Sequence, residues 1–289
     1  MESPPKKDNG KGAAIAEGNP ATAKPPVLET FSLTRRFGEH TAVDSLTVSV
    51  NRGEVFGLLG PNGAGKTTTL KMLTTLLPPS SGNARIAGFD IVQQSADVRR
   101  VIGYVPQLLS ADGTLTGYEN LLVFAKLYDI PRNEREARIS GALTFMGLKD
   151  AAHEVVRTYS GGMIRRLEIA QSLLHRPRML FLDEPTLGLD PLARRMVWSH
   201  IERLRADYGT TVLLTTHFMD EADSLCSRVA IMHLGKVVVI GTPGDLKASL
   251  DQNGGTMDDV FVRYTGGTAE MEGDYGETRR TRLTARRLG

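Results

Sequence analysis

Only one cysteine, Cys226, occurs in 289 residues. That excludes an intrachain disulfide and any metal site built from several thiolates, and it is compatible with a reducing cytosol. Long hydrophobic runs are also missing. The stretches LLVFA (121–125) and VVVI (237–240) are core-sized, far below the roughly 18 residues of a membrane-spanning helix. Membrane contact is therefore expected through a partner. An excess of one charge is absent too: 35 Lys and Arg face 33 Asp and Glu, a net +2, so no nucleic-acid partner is expected from the whole-chain field. The opening MESPPKKDNGKG lacks the apolar centre of a secretory signal. The remainder, 40% hydrophobic and 24% charged, fits a globular chain with one large domain or two modest ones.

Residues 1–26 hold five of the fourteen prolines and show no period that could bury a face, so they are expected to form a disordered leader. From Val27 the texture changes. VLETFSLTRRF and TAVDSLTVSV read as two strands around a GEH turn, and GEVFGLLG as a buried strand. KTTTLKMLTTLL places Leu70, Leu73 and Leu77 on one helical face, stopped by Pro78 and Pro79. Residues 108–158 read as a helical insertion divided at Pro131. Strand and helix then alternate: RMLFLD, a helix from Pro191, TTVLLTT, a short helix near 218–225, and RVAIMH. Such alternation implies a mostly parallel sheet with helices on both faces, an α/β class. TMDDVFVRYTG near 256–266 reads as one more helix, and the last 22 residues carry four acids and then five arginines. That tail reads as a solvated charge run, with weak attraction to anionic lipid as the sharper alternative.

Chemistry concentrates in a few places. Gly60, Pro61, Asn62, Gly63, Ala64, Gly65, Lys66 and Thr67 satisfy the G-x-x-x-x-G-K-[ST] pattern, followed by Thr68, between a buried strand and an amphipathic helix. Glycines let successive backbone N–H groups turn toward an anion, and the helix start adds its positive dipole end. Lys66 would reach the β- and γ-phosphates of a nucleotide, and the Thr67 hydroxyl would sit on Mg2+. RMLFLDEPT runs apolar residues into Asp183 and Glu184, at the carboxyl edge of a strand where α/β ligands bind. Asp183 would hold Mg2+, and Glu184 would accept a proton from an attacking water. His217 follows another apolar strand; it could bond a γ-phosphate or serve only the fold. Gln107, in VIGYVPQ, could ligate Mg2+ or merely end a strand.

A second glycine-led helix start lies in RTYSGGMIRRLEIAQSLL. Ser160, Gly161 and Gly162 would present free N–H groups with no lysine beside them, or form a plain capped helix. Met163, Ile164, Leu167, Ala170 and Leu174 are expected on one face of that helix, and Arg165, Arg166 and Glu168 on the other.

Taken in order, GPNGAGKTT, YVPQ, YSGGM, LFLDEPT, LGLD and TTH resemble the nucleotide-binding domain of ATP-binding-cassette (ABC) proteins over roughly residues 27–245. The resemblance implies the ABC ATPase fold: a P-loop NTPase core, an antiparallel β subdomain and a helical subdomain at about 108–175. A short extension with a helix (246–267) and a charged flexible tail (268–289) would follow. It implies ATP sandwiched between two copies, with Ser160, Gly161 and Gly162 completing the partner's site, which would explain the second helix start. Glu184 then matches the catalytic base and His217 the switch histidine. Gln107 matches the glutamine that touches Mg2+ and links to the membrane subunit, Asp190 the loop crossing the dimer interface, and Phe37 the aromatic that stacks on adenine. Two departures stand out: YSGGM replaces LSGGQ, so Met163 lacks the glutamine's polar contacts, and LGLD replaces SALD. YSGGM, DGTLTGYENL and GTMDDVFVRYTGG further resemble the ATPase subunits of daunorubicin/doxorubicin-type exporters, related to nodulation-factor systems. This implies ATP-driven export through a separate permease, at the cytoplasmic membrane face. The alternative is a non-transport ABC ATPase of repair, translation or assembly, whose usual coiled-coil insertion, zinc cysteines or tandem cassettes are not apparent here.

Overall fold

The structure, a computed structural model, describes residues 25–250 and 255–266. Nearly all of the expected leader, and the whole arginine-rich tail, lie outside the described residues. Strands β1 (Leu28–Phe37) and β2 (His40–Leu46) form the first hairpin, turned by Gly38 at φ 58°, a left-handed conformation suited to glycine. β3 (Ser49–Val50) pairs with β1. β4 (Val55–Leu59) is buried at every position, as an unbroken apolar strand inside a sheet must be.

Helix α1 (Lys66–Leu73) stops before the expected prolines. The Thr74 hydroxyl donates to the Leu70 carbonyl at 2.8 Å, and Thr75 turns left-handed at φ 63°. The Leu76 and Leu77 N–H groups then fold back on the Lys71 carbonyl, a closure that satisfies the helix end. Two adjacent β-branched threonines with local bonding options end the helix before proline sterics can. β5 (Ser81–Ile86) and β6 (Phe89–Asp90) complete an antiparallel sheet in the order β2-β1-β5-β6.

Next come α2 (Ser95–Val101) and β7 (Ile102–Val105). The expected helical region follows as α3 (Gly117–Leu127), α4 (Arg132–Phe145) and α5 (Gly161–Leu173). Thr116 and Glu119 form a reciprocal capping box at the start of α3. The remaining elements are β8 (Met179–Asp183), α6 (Pro191–Tyr208), β9 (Thr211–Thr216), α7 (Met219–Leu225), β10 (Arg228–His233), β11 (Lys236–Gly241), α8 (Pro243–Ala248) and α9 (Met257–Thr265). The second sheet has the order β11-β10-β4-β9-β8-β7. Five of its strands are parallel and β11 alone is antiparallel.

Alternation along the central strands divides the interior into two cores. Phe56 and Leu58 of β4, with Met179 and Phe181 of β8, enter the core shared with α1 and the antiparallel sheet. Val55, Leu59, Leu180 and Leu182 enter the core shared with the helical region, α6, α7 and α9. One expectation fails here. Arg165, Arg166 and Glu168 are buried, at 2%, 9% and 3% exposure. Helix α5 is packed on α3, α4, α6 and β7, so it has no broad solvent face for those charges to occupy.

Candidate active site

Four parallel strands stand in the order β4, β9, β8, β7, and each delivers one sequence motif at its carboxyl end. The register aligns them: Leu59 pairs with Thr216, Thr215 with Asp183, and Leu182 with Val105. The glycine loop, His217, the Asp183–Glu184 pair and Gln107 therefore emerge from one sheet edge, where a doubly wound fold leaves its ligand crevice.

Backbone crowding explains the glycines. A side chain on Gly60 would collide with the Met232 carbonyl oxygen, and one on Gly65 with that of Ala42. Gly65 also adopts φ 105° as the N-cap of α1, a conformation L side chains rarely reach. Asn62 and Gly63 at the loop tip are exposed, Pro61 is half-buried and Ala64 is buried. Ala64 is held by bonds from its N–H to Pro61 and from Gly235 to its carbonyl. Lys66 and Thr67 open α1, with half-buried Thr68 in the same turn.

Lys66 is 5% exposed. Its Nζ donates to the carbonyls of Gly60 at 2.7 Å and Pro61 at 3.2 Å and lies 3.3 Å from Glu184 Oε1. Burial pushes the Lys66 pKa down, with Glu184 and Asp183 opposing. Asp183 Oδ1 accepts from the Thr67 hydroxyl at 3.1 Å and the Thr215 hydroxyl at 2.6 Å. Glu184 sits at φ 48°, a strain of order 1–3 kcal/mol for a residue with a side chain. Its N–H is fixed by the Thr215 carbonyl at 3.1 Å and the Thr215 hydroxyl at 3.0 Å. The turn sends its carboxylate between Lys66 and His217 Nδ1, the latter at 2.8 Å. Burial raises the Glu184 pKa, but the His217 hydrogen bond and the Lys66 charge outweigh it, leaving the group below the usual carboxylate range.

The fold thus unites Lys66, Thr67, Asp183, Glu184 and His217. Other expected residues stand apart from this cluster. The Gln107 side chain is exposed just beyond β7 and makes no hydrogen bond to Thr67 or Asp183 among the described residues. Phe37, 47% exposed, ends β1 with the Arg35 guanidinium 4.6 Å over its ring. Ser160 caps α5, its Oγ accepting from the Met163 N–H at 3.3 Å. Ser160 and Gly161 are exposed while Gly162 is buried, where an added Cβ would lie 2.8 Å from Ala193 Cβ. Asp190 caps α6, accepting from the Leu192 and Ala193 N–H groups at 2.9 Å. α5 packs on α3, α4, α6 and β7, whereas α1 packs on β2 and β8. The two glycine-led helix starts thus belong to differently packed helices of one chain.

Two participants escaped the sequence reading. Thr215 binds both members of the acidic pair, and its signal was a hydroxyl pair inside an apolar strand, TTVLLTT. Arg165 donates to the Pro106 and Gln107 carbonyls at 2.7 and 2.8 Å; helical periodicity put it opposite the apolar face but does not record that this face is buried as well.

Known proteins resemble this chain. The ABC transporter family profile matches residues 43–187. The chain is 47% identical over 226 residues to the daunorubicin/doxorubicin resistance ATP-binding protein DrrA of Streptomyces peucetius, covering 78% of this chain and 68% of that protein. It is 43% identical to the Nod factor export ATP-binding protein I of Ralstonia nicotianae, covering 78% and 70%. It is also 43% identical to the probable multidrug ABC transporter ATP-binding protein YbhF of Escherichia coli, spanning 86% of this chain but 42% of that longer one. Among solved structures, an ATP binding subunit of an ABC transporter superposes with a TM-score of 0.74 at 30% identity, over 82% of this chain and 99% of that one. On the family match and these relatives the chain belongs to the ABC transporter family, as an ATP-binding and ATP-hydrolysing subunit.

Proposed function

We propose that the chain hydrolyses MgATP at composite sites between two copies of itself. Turnover drives export of a drug-like or other amphiphilic substrate through a separate membrane permease. The observation that carries this reading is Glu184, held between Lys66 at 3.3 Å and His217 at 2.8 Å beside the phosphate loop. Backbone N–H groups of residues 62–68 cradle the phosphates, and Lys66 moves from its own loop carbonyls to the β- and γ-oxygens. Losing that cation raises the Glu184 pKa, which makes the carboxylate a stronger base for the attacking water while His217 keeps it aimed.

Hard oxygen donors suit Mg2+, which binds through one or two carboxylates plus phosphate oxygens and water. Thr67 and Asp183 already share a 3.1 Å hydrogen bond, so their oxygens fit that ion, with the Gln107 amide as a further donor. Mg2+ would supply charge neutralisation on the β- and γ-phosphates. Phe37 offers a ring for the adenine. Ser160, Gly161 and Gly162 meet the partner copy's γ-phosphate, and Asp190 lies on the loop that crosses between copies. Residues 27–245 act as the nucleotide-binding domain, and α9 belongs to a C-terminal extension that docks on α7, α8, β10 and β11. No helix among the described residues is long and apolar enough to cross a membrane, and we place the chain at the cytoplasmic face through its permease.

The test is Glu184→Gln. Slowed hydrolysis should trap an ATP-bound dimer on size exclusion; a variant that stays monomeric at saturating MgATP sinks the composite-site reading.

A further inference from the structure

Helix α5 carries a buried ion pair that the roles above leave unused. Arg165 and Glu168 are 2% and 3% exposed, and Arg165 Nη1 lies 3.0 Å from Glu168 Oε2. Both reach out of α5 to one stretch of chain. Arg165 donates to the Pro106 carbonyl at 2.7 Å and the Gln107 carbonyl at 2.8 Å. Glu168 Oε1 accepts from the Ser110 hydroxyl at 3.1 Å and also from the Ser110 N–H. The stretch is thus fastened on both sides of Leu108 and Leu109, which are 81% and 52% exposed and supply little burial to hold it.

Burying two charges yields little net stability, because desolvation offsets their attraction. What the pair provides is placement. A guanidinium fork is planar and fixes the two carbonyls it binds at defined angles. The same helix begins at Ser160, about 7.5 Å up the axis from Arg165 at the usual rise per residue.

We propose that Arg165 and Glu168 are positioning residues that clamp the Gln107 loop to α5, so that Gln107 and the Ser160–Gly161–Gly162 helix start move as one body. This rests on the roles proposed above for Gln107 and Ser160. Gln107 cannot shift relative to the phosphates without carrying the trans-acting helix start with it, and each site's occupancy is felt at the other.

The decisive variant is Arg165→Met with Glu168→Leu, which replaces the pair by apolar groups of similar volume, a change that proteins commonly tolerate. The clamp predicts an unfolding midpoint near that of the parent, ATP affinity of the single chain within about threefold, and kcat lower by roughly 10- to 100-fold, the scale of a misplaced catalytic group. On a Gln107→Ala background the same pair of changes should cost no more, because both act through one group. Full turnover in the stable variant overturns the clamp, as does an undiminished further loss on the Gln107→Ala background. Full turnover by Gln107→Ala alone is a different failure: it removes the Gln107 role and with it the clamp's object. Should the double variant not fold, Glu168→Met serves, because it removes the acceptor of the Ser110 N–H while Arg165 keeps the Pro106 and Gln107 carbonyls. Hydrogen exchange at the Ser110 amide should then accelerate about tenfold, while exchange along α5 is unchanged; an unaltered Ser110 rate overturns the proposal.

Discussion

Gly161 and Gly162 are adjacent in sequence but answer to different constraints. A Cβ on Gly162 would press on Ala193 at 2.8 Å, whereas one on Gly161 meets only Leu189 Cδ2 at an ordinary 3.5 Å. Gly162 is therefore explained by packing of α5 on α6, and Gly161 is not explained by any contact among the described residues. Gly161→Ala should leave stability unchanged or raise it by up to about 1 kcal/mol, since alanine favours helix, yet lower ATPase activity by an order of magnitude or more if a partner's phosphate must approach there. Gly162→Ala should instead destabilise by about 1–3 kcal/mol through overpacking. Denaturant titrations beside turnover assays separate the two, and a Gly161→Ala variant with full activity would remove that residue from the composite site. Lys66, Asp183 and Glu184 were legible in the sequence because each motif couples a residue type to a backbone context. Arg165 and Glu168 were not, because helical periodicity assigns a charge to solvent unless something is known of what packs there.

Among the elements, α7 shows how the short helix after His217 is held. Glu221 is fully buried; it accepts from the Thr186 hydroxyl at 2.8 Å and from the Trp198 indole N–H at 2.9 Å. This ties α7, which follows His217, to the β8–α6 connection and to α6. Burial pushes the Glu221 pKa up, although hydrogen bonds from Thr216, Thr186 and Trp198 and the Arg194 charge pull the other way. The folded chain thus holds this proton more tightly than the unfolded chain. Its stabilising effect is complete below the unfolded carboxyl value near 4.3 and is lost as pH rises through the higher folded value. Glu221→Gln keeps an acceptor for the Thr186 and Trp198 donors and cannot ionise. It should raise stability at pH 8 and flatten the pH dependence, as read from urea midpoints between about pH 5 and pH 9 by circular dichroism. A variant less stable than the parent at pH 8 would refute the assignment of a buried, proton-holding Glu221. Element type was mostly legible, because period-two and apolar runs survive any packing. The end of α1 was not: two threonines closed it before Pro78 and Pro79, through local side-chain bonds that hydrophobic spacing does not record.

The whole molecule holds half of each proposed site. Lys66, Thr67, Asp183, Glu184 and His217 meet within one chain, while Ser160 and Gly161 open α5, a helix packed away from α1. Specific ATPase activity should therefore climb with chain concentration and level off once dimers predominate, and Lys66→Ala should abolish it at every concentration. Constant specific activity down to dilutions where only single chains exist would contradict the shared site, and undiminished hydrolysis by Lys66→Ala would displace the phosphate loop from the chemistry.

By itself the sequence determined the chemistry and its local settings: a glycine loop ahead of a helix, two carboxylates ending an apolar strand, a histidine ending another. These are properties of contiguous residues, governed by backbone sterics and hydrophobic period. Only the tertiary structure decided which of them meet. Sheet order β4-β9-β8-β7 sets Thr215 between the loop and the acids and turns Glu184 through a left-handed backbone toward Lys66 and His217, and packing of α5 buries Arg165 on its charged face. Contacts between segments 31 to 116 residues apart depend on how whole surfaces pack, and no local pattern along the chain encodes them.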